Sequence, residues 1–509
     1  MESGYELFRK AAAEHPASRI IFPDEGKEYS YAGFLDEVDV CARALHACGV
    51  GRGDRVALHG PNSSCWMLCF FAVNKIGAVA VPMNIKAMED DMLYMAAEAQ
   101  VKLLFHFSES PVPERLAGSI PVVVTAEDFD GMMDMARTLP DVGPEPGDLQ
   151  IIMFTSGTTA NPKGVMLCRD NIRNSVEDYI RIMRLGPDDV MLLNLPLSYC
   201  YGCVLICCTF FLAGASLVVK RTFTVRGTLG AISRYRCTVL NMVPTMYQLL
   251  FSSGLVSRYD LSSVKKVMTG GSSVSDRLMS GIRELFGPEN VLCGYGLTEC
   301  ASWALSQRFD GEGSRRGVSI GRPAANMEIR IEPGYGTPAE GESLGELCLR
   351  GKGLMHGYLD GAKNASAFDA DGWFHTGDVV RCDRDGVCWI VDRCKDMIIK
   401  GGENISPKRV EYILDSFDGI EGSQVVGVHD SVYGEKVVAV LLCSQAEKID
   451  IKELTAFART HLSSNRRPDY YVALPSIPCT PNEKVNKQAV RDLVNAKIGS
   501  LRRNVINYL

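Results

Sequence analysis

The sequence predicts an α/β protein: a large N-terminal domain of two doubly wound parallel-sheet subdomains plus a β-rich subdomain, and a small α+β C-terminal domain. Three observations lead there. Short β-branched apolar runs alternate with helical patterns through the first part of the chain. Turn signals crowd together from about residue 320. A final segment mixes strands with a helix. At 509 residues the chain exceeds a single core, and its 46% apolar and 23% charged content is that of an ordinary globular protein.

Arg55-Val-Ala-Leu-His59 has the composition of a strand; residues 66–75 follow as a helix, and Ala78-Val-Ala-Val-Pro82 as the next strand. The rhythm recurs near Val101–Phe105, Leu217–Lys220, Val239–Met242 and Val264–Met268. Strands separated by helices imply parallel pairing. Between Ile320 and Asp392 the glycines at 334, 336, 345, 351, 361, 372 and 386 shorten the strands, which predicts the β-rich subdomain. Beyond Asp392-Arg-Cys-Lys-Asp396, strands at Gln424–Val428 and Val437–Leu442 and a helix at Asp450–Leu462 form the small α+β domain. The expected division is 1–392 and 397–509, with 393–396 between them. No internal repeat or low-complexity tract interrupts it.

A net charge of -7 without a Lys/Arg run excludes a generic nucleic-acid binder. The opening MESGYELFRKAAAEH has no apolar h-region, so the expectation is a cytoplasmic protein whose eighteen cysteines are reduced thiols. Tyr199–Val219, YCYGCVLICCTFFLAGASLVV, is uncharged and long enough for a membrane span of about 20 residues. It has no companion segment and no topogenic flanks, and Gly202 and Gly214 suit a buried helix that turns into a strand. Its cysteines, Cys200, Cys203, Cys207 and Cys208, have no neighbouring His or carboxylate and match no zinc or ferredoxin spacing. The segment is therefore expected in the core, with no integral membrane segment and no metal there.

The chemistry begins at FTSGTTANPKGVM, residues 154–166. The stretch fails the Walker A template and the G-x-G-x-x-G template. Its ingredients still suit phosphate: Gly157 and Gly164 allow close backbone approach, Thr155, Ser156, Thr158 and Thr159 supply hydroxyls, and Lys163 adds a cation. Taken alone, the loop is equally a phosphate cradle or a solvated turn before a helix.

It is not alone. The stretch matches T-S-G-[ST]-T-G-x-P-K-G except at Ala160, and Gly294-Tyr-Gly-Leu-Thr-Glu299 matches G-Y-G-x-T-E. Asp371–Asp378 matches D-G-W-x-x-T-G-D, the 392–407 stretch matches a hinge and following loop, and Pro481-Asn-Glu-Lys484 stands where P-x-G-K is expected. Together with Gly53-Asp-Arg-Val-Ala57 and Gly77–Pro82, these motifs occur in the order of the adenylate-forming (AMP-binding) superfamily. The chain resembles its acyl-CoA synthetases, stand-alone adenylation enzymes and luciferases over nearly its whole length.

The resemblance implies ATP-dependent activation of a carboxylic acid to an acyl-adenylate, with pyrophosphate release, then transfer to the thiol of CoA. It implies that Thr155, Ser156, Gly157, Thr158, Thr159 and Lys163 cradle the pyrophosphate. Tyr295, between Gly294 and Gly296, would lie against adenine, bordered by Gly270, Gly271 and Ser272. Thr298 would touch the α-phosphate, Glu299 would hold Mg²⁺, and Asp378, assisted by Arg393, would bind the ribose. Lys484 would reach the acid carboxylate and α-phosphate, where charge develops in the transition state. Lys395 would be the hinge for a rotation that brings in the Lys400–Glu403 face, where Gly401 and Gly402 border the pantetheine channel.

Two departures bear on the substrate. Glu483 replaces the usual glycine before Lys484. In Pro196-Leu-Ser-Tyr-Cys-Tyr-Gly202, Tyr199 stands where many of these synthetases and luciferases carry His, and no Asp lies near Tyr201 to pair an α-ammonium. An unpaired buried cation is costly, which favours a fatty or aromatic acid. Tyr199, Tyr201, Gly202, Met242, Val243 and Gly270 would line the acid pocket, although the aromatics serve equally as ordinary core. Alternatives stay open. The acceptor is either free CoA or the phosphopantetheine of a separate carrier protein. Luciferase-type oxidation and a non-catalytic nucleotide-binding protein are the remaining readings.

Overall fold

The computed structural model describes residues 4–143, 149–155, 162–272, 274–287, 290–309, 318–400, 403–430, 432–443, 449–474, 476–478, 485–502 and 505–508. The chain divides into two compact units, Met1–Ile329 with Leu349–Phe374, and Arg330–Cys348 with His375–Leu509.

The first unit is built on two sheets of the expected doubly wound kind. Among the described residues, one sheet has nine strands. Its parallel centre runs Asn290–Tyr295, Lys266–Gly270, Val239–Met242, Val190–Leu193, Ser216–Val219, Arg19–Phe22. The other has seven, with Leu149–Thr155, Val79–Met83, Arg55–His59, Val101–His106 and Val122–Thr125 parallel, and Lys163–Cys168 and Gly357–Tyr358 added antiparallel at one edge. Val79–Met83 is buried throughout, as a strand covered on both faces must be. Helices start where the sequence supplies a cap: the Ser63 hydroxyl accepts the N–H of Trp66 at 3.1 Å, opening the Ser64–Lys75 helix.

The uncharged 199–219 stretch is core. Tyr201–Ile206 forms a π-helical turn, Thr209–Ala213 an α-helix, and Ser216–Val219 a central strand. Cys203 and Cys207 are fully buried, and burial pushes the thiols of Cys200 and Cys208 up to about 12. Among the described residues these cysteines gather into no group of metal ligands, and no helix is long and apolar enough to cross a membrane.

The β-rich section is a four-stranded sheet in the order Met327–Glu332, Ser343–Gly351, Phe374–Cys382, Cys388–Arg393. Here the expectation of reduced thiols needs correcting. Cys382 and Cys388 face each other across the hairpin with Cα atoms 4.1 Å apart, and they are joined as a disulfide. Composition counts thiols, but strand register decides which of them meet.

The C-terminal part of the second unit is a mixed sheet with helices Pro407–Leu414, Ile451–His461 and Lys487–Lys497. Its longest pair, Gly422–Asp430 and Gly434–Leu442, is antiparallel. Alternate residues feed two cores: Val437, Ala439 and Leu441 pack with Val410 and Leu414, and Val438 and Val440 pack with Val490 and Val494.

Candidate active site

In the first unit the expected residues gather where strands end. Thr155 ends one strand and Lys163 begins its antiparallel neighbour, and the two are register partners. Ser156, Gly157, Thr158, Thr159 and Ala160 lie outside the described residues.

Lys266–Gly270 and Asn290–Tyr295 end side by side, with Gly270 opposite Gly294. Ligands of open α/β sheets bind at such carboxyl ends. The approach leaves no room for a side chain, since a Cβ on Gly270 would sit 2.3 Å from the Gly294 carbonyl oxygen. Gly271 and Ser272 follow at the surface, and Tyr295 is buried at the strand tip.

From Tyr295 the chain turns sharply. Thr298–Cys300 is a single 3₁₀ turn, followed by Ala301 and Ser302 at φ 50° and 66°. Non-glycine residues seldom hold that region, and such strain persists only where the surroundings over-determine it. Here they do: the Ser302 N–H donates to the Leu297 carbonyl at 2.9 Å and that of Ala304 to Tyr295 at 3.0 Å. The buried Trp303 donates its indole N–H to Asp178 at 2.8 Å. A Cβ on Gly296 would lie 2.2 Å from the Ser302 carbonyl oxygen, so only glycine closes this turn.

The turn aims Glu299 at a residue that sequence reasoning missed. Tyr358 donates its hydroxyl hydrogen to Glu299 Oε1 at 2.8 Å. The Met355 N–H donates to the Glu299 carbonyl at 2.8 Å, and Lys163 Nζ stands 5.0 Å from the centre of the Tyr358 ring. Burial first, then the Glu299 carboxylate, raises the Tyr358 pKa well above 10, so the phenol keeps its proton and remains a donor. Lys163, Tyr358 and Glu299 thus form one polar chain. The carboxylate suits a hard cation such as Mg²⁺, because the tyrosine occupies one oxygen with a single hydrogen bond and leaves further lone pairs.

The expected pocket residues are held by contacts of their own. The Asn84 side-chain amide donates to the Tyr199 hydroxyl, and the Tyr201 hydroxyl meets the sulfur of Met268. A Cβ on Gly271 would be 3.6 Å from Val243, while Met242 and Gly202 are buried. Cys200, between the two tyrosines, interacts with Ser302 and senses Glu299. A separate cleft of about 640 Å³ is lined by Arg52, Arg55, Val79, Gln100 and Leu149. It opens at the amino-terminal ends of its strands, away from the ends where this fold binds ligands.

In the second unit, Asp378 and Arg393 are register partners on neighbouring strands, and Arg393 Nε lies 2.7 Å from Asp378 Oδ1. The carboxylate is only 5% exposed. Buried Asp392 accepts from the Ser406 hydroxyl at 2.7 Å and the Lys408 N–H at 3.0 Å, which ties the start of the Pro407–Leu414 helix to the end of the sheet. Lys395 lies on the 3₁₀ turn Cys394–Asp396, and desolvation lowers its pKa. Gly401, Gly402, Glu483 and Lys484 lie outside the described residues.

Comparison with known proteins accounts for this arrangement. The model of the AMP-binding enzyme family matches residues 8–359, and that of the AMP-binding enzyme C-terminal domain matches 409–484. A feruloyl-CoA synthase from Amycolatopsis sp is 33% identical over 92% of this chain and 94% of its own. A mitochondrial medium-chain acyl-CoA ligase from Homo sapiens is 30% identical over 93% of this chain and 84% of its own. The crystal structure of ATP-bound MatB from Rhodopseudomonas palustris superposes with a TM-score of 0.86 at 25% identity, covering 97% of this chain and 99% of that one. The chain belongs to the AMP-binding enzyme family, and it is an AMP-forming acid–thiol ligase of the acyl-CoA synthetase kind.

Proposed function

We propose that this enzyme activates a fatty or aromatic acid with ATP and Mg²⁺, releases pyrophosphate and passes the acyl group to CoA. The observation that carries the reading is the chain Lys163–Tyr358–Glu299 beside paired strand ends. Attack of the acid carboxylate on the α-phosphorus forms the mixed anhydride and expels pyrophosphate. Thr155 and Lys163 hold the leaving group at the loop's two ends, with Ser156, Gly157, Thr158 and Thr159 between them. Glu299 would hold Mg²⁺, whose charge would offset that of the phosphate oxygens. Thr298 donates to the α-phosphate, Tyr295 packs against adenine between Gly294 and Gly296, bordered by Gly270, Gly271 and Ser272, and Asp378 with Arg393 binds the ribose. Lys484 supplies the cation where charge builds up. The division of labour follows 1–392, the hinge at Lys395, and 397–509. In the second step the pantetheine thiolate, passing Gly401 and Gly402, attacks the acyl carbonyl and AMP leaves.

The acid class rests on the Pro196–Gly202 stretch, which offers tyrosines and no carboxylate to pair an α-ammonium. Relatives named for feruloyl and medium-chain acyl groups support it. One observation favours a second acceptor: Ile399, Val432 and Tyr433 are exposed next to the hairpin leading to Gly401, and an apolar surface there suits a carrier protein. Acid-dependent pyrophosphate release over a panel of aliphatic, aromatic and amino acids, with and without CoA, tests all of this. Multiple turnover with a fatty or aromatic acid only when CoA is present supports the proposal. A single burst despite CoA points to the carrier protein, and turnover with an amino acid alone rejects the acid class.

A further inference from the structure

We propose that Glu346, Cys348 and His375 form a binding site for a transition-metal ion of the zinc class, built into the four-stranded sheet of the second unit. Glu346 and Cys348 are two residues apart on Ser343–Gly351 and so share a face, and His375 comes from the adjacent strand Phe374–Cys382. One ligand atom from each lies within 4.8 Å of the other two. His375 Nδ1 is 3.5 Å from Cys348 Sγ and 3.1 Å from Glu346 Oε2.

Those spacings are those of a coordination sphere. A tetrahedral ion with metal–sulfur bonds of about 2.3 Å and metal–nitrogen bonds of about 2.0 Å holds S and N roughly 3.5 Å apart, and N and O about 3.3 Å apart. Hydrogen bonding uses the trio poorly, because Nδ1 carries one hydrogen or one lone pair and faces both a sulfur and a carboxylate oxygen. An ion at the centre engages all three donors at once. A thiolate and a carboxylate balance a divalent charge, with imidazole neutral and water completing the sphere. The sulfur and nitrogen select Zn²⁺ or Co²⁺ over Mg²⁺ and Ca²⁺.

The surroundings are suitable. Cys348 is fully buried, whereas Glu346 and His375 are 15% and 29% exposed and leave an entry path. Glu346 Oε1 accepts the N–H of Gly377 at 2.9 Å, which orients the other oxygen toward His375. Burial, then Glu346, push the Cys348 thiol up to about 11, and Arg330, which interacts with Cys348 and is paired with Glu332 at 3.3 Å, is the competing cation. Gly377 adjoins Asp378, so an ion here would stiffen the strand that carries the expected ribose ligand.

The test is Co²⁺ titration of the full chain after chelator treatment, read by the thiolate-to-cobalt charge-transfer absorption. The expectation is one equivalent per chain, displaced by Zn²⁺, with the band lost in Cys348→Ser and binding at least tenfold weaker in His375→Gln. Cys48→Ser, far from the trio in sequence, should leave the band intact. Circular dichroism checks each fold, and the partly exposed His375 decides the matter should Cys348→Ser fail to fold. Absence of the band, or a band that survives both substitutions in folded protein, overturns the proposal.

Discussion

Tyr358→Phe removes one oxygen atom and asks whether Glu299 is held for nucleotide chemistry. The hydroxyl donates to Glu299 Oε1 at 2.8 Å from a ring that is itself buried. A hydrogen bond to a charged group contributes about 1.5–3 kcal/mol. At about 1.4 kcal/mol per decade, its loss costs roughly 10- to 100-fold in whatever step uses the oriented carboxylate. The ring stays, so the Lys163 contact at 5.0 Å survives and the core keeps its volume. The loss should therefore appear in kcat/KM for MgATP, measured by acid-dependent pyrophosphate exchange, while the KM for the acid stays near wild type. Tyr358→Leu removes the ring as well and should weaken pyrophosphate-side binding further. Wild-type kcat/KM for MgATP in Tyr358→Phe would refute the assignment of Glu299. A lower Tm with unchanged kinetics would make the bond purely structural.

Other expectations follow from the same geometry and assignments. Lys484→Ala should lose adenylation by at least about 100-fold, as removal of a transition-state charge does, with the fold retained by circular dichroism. Lys395→Pro should spare pyrophosphate exchange and abolish thioester formation; equal loss of both would reject the hinge. His59 and His106 meet through their Nδ1 atoms at 3.1 Å, and burial, then His106, lowers the His59 pKa to about 4. The unfolded chain binds that proton below about 6.5, so stability present above that pH is lost as pH falls toward 4. The group contributes about 2 kcal/mol of change between pH 7 and 5, and urea titrations should show that increment missing in His59→Gln.

The strand–helix alternation was legible because buried parallel strands such as Val79–Met83 are unbroken apolar runs. Glu299 and Lys163 were singled out by short motifs alone. What was not legible is what depends on chain segments meeting. Gly357–Tyr358 is a two-residue strand, too short for any period, and only its pairing with Val165 and Met166 puts its hydroxyl on Glu299. The Asn84–Tyr199 bond joins residues from distant segments, and the Cys382–Cys388 disulfide appears only once the hairpin register is known. Polar starts also hid strand limits: Gly434-Glu-Lys436 opens a strand whose apolar signal begins at Val437.

The two proposed half-reactions would place opposite demands on the chain. Adenylation needs donors fixed before charge develops, since reorganisation during the step would cost much of their effect. The first unit supplies fixity: Gly296 admits no side chain, Ala301 and Ser302 are held at positive φ, and Trp303 anchors the turn to Asp178. Thioester formation needs a change of partner for the adenylate, and the segment assigned to it is short and polar. Arg393 and Lys395 flank Cys394 on a single turn, directly after Asp392 has capped the next helix. The rotation proposed there would alter few backbone dihedrals, and the bonds from Ser406 and Lys408 to Asp392 would have to part. Stiffening Lys395 should therefore separate the two reactions, whereas loosening the Gly296–Trp303 turn should impair both, because the second reaction consumes what the first one makes.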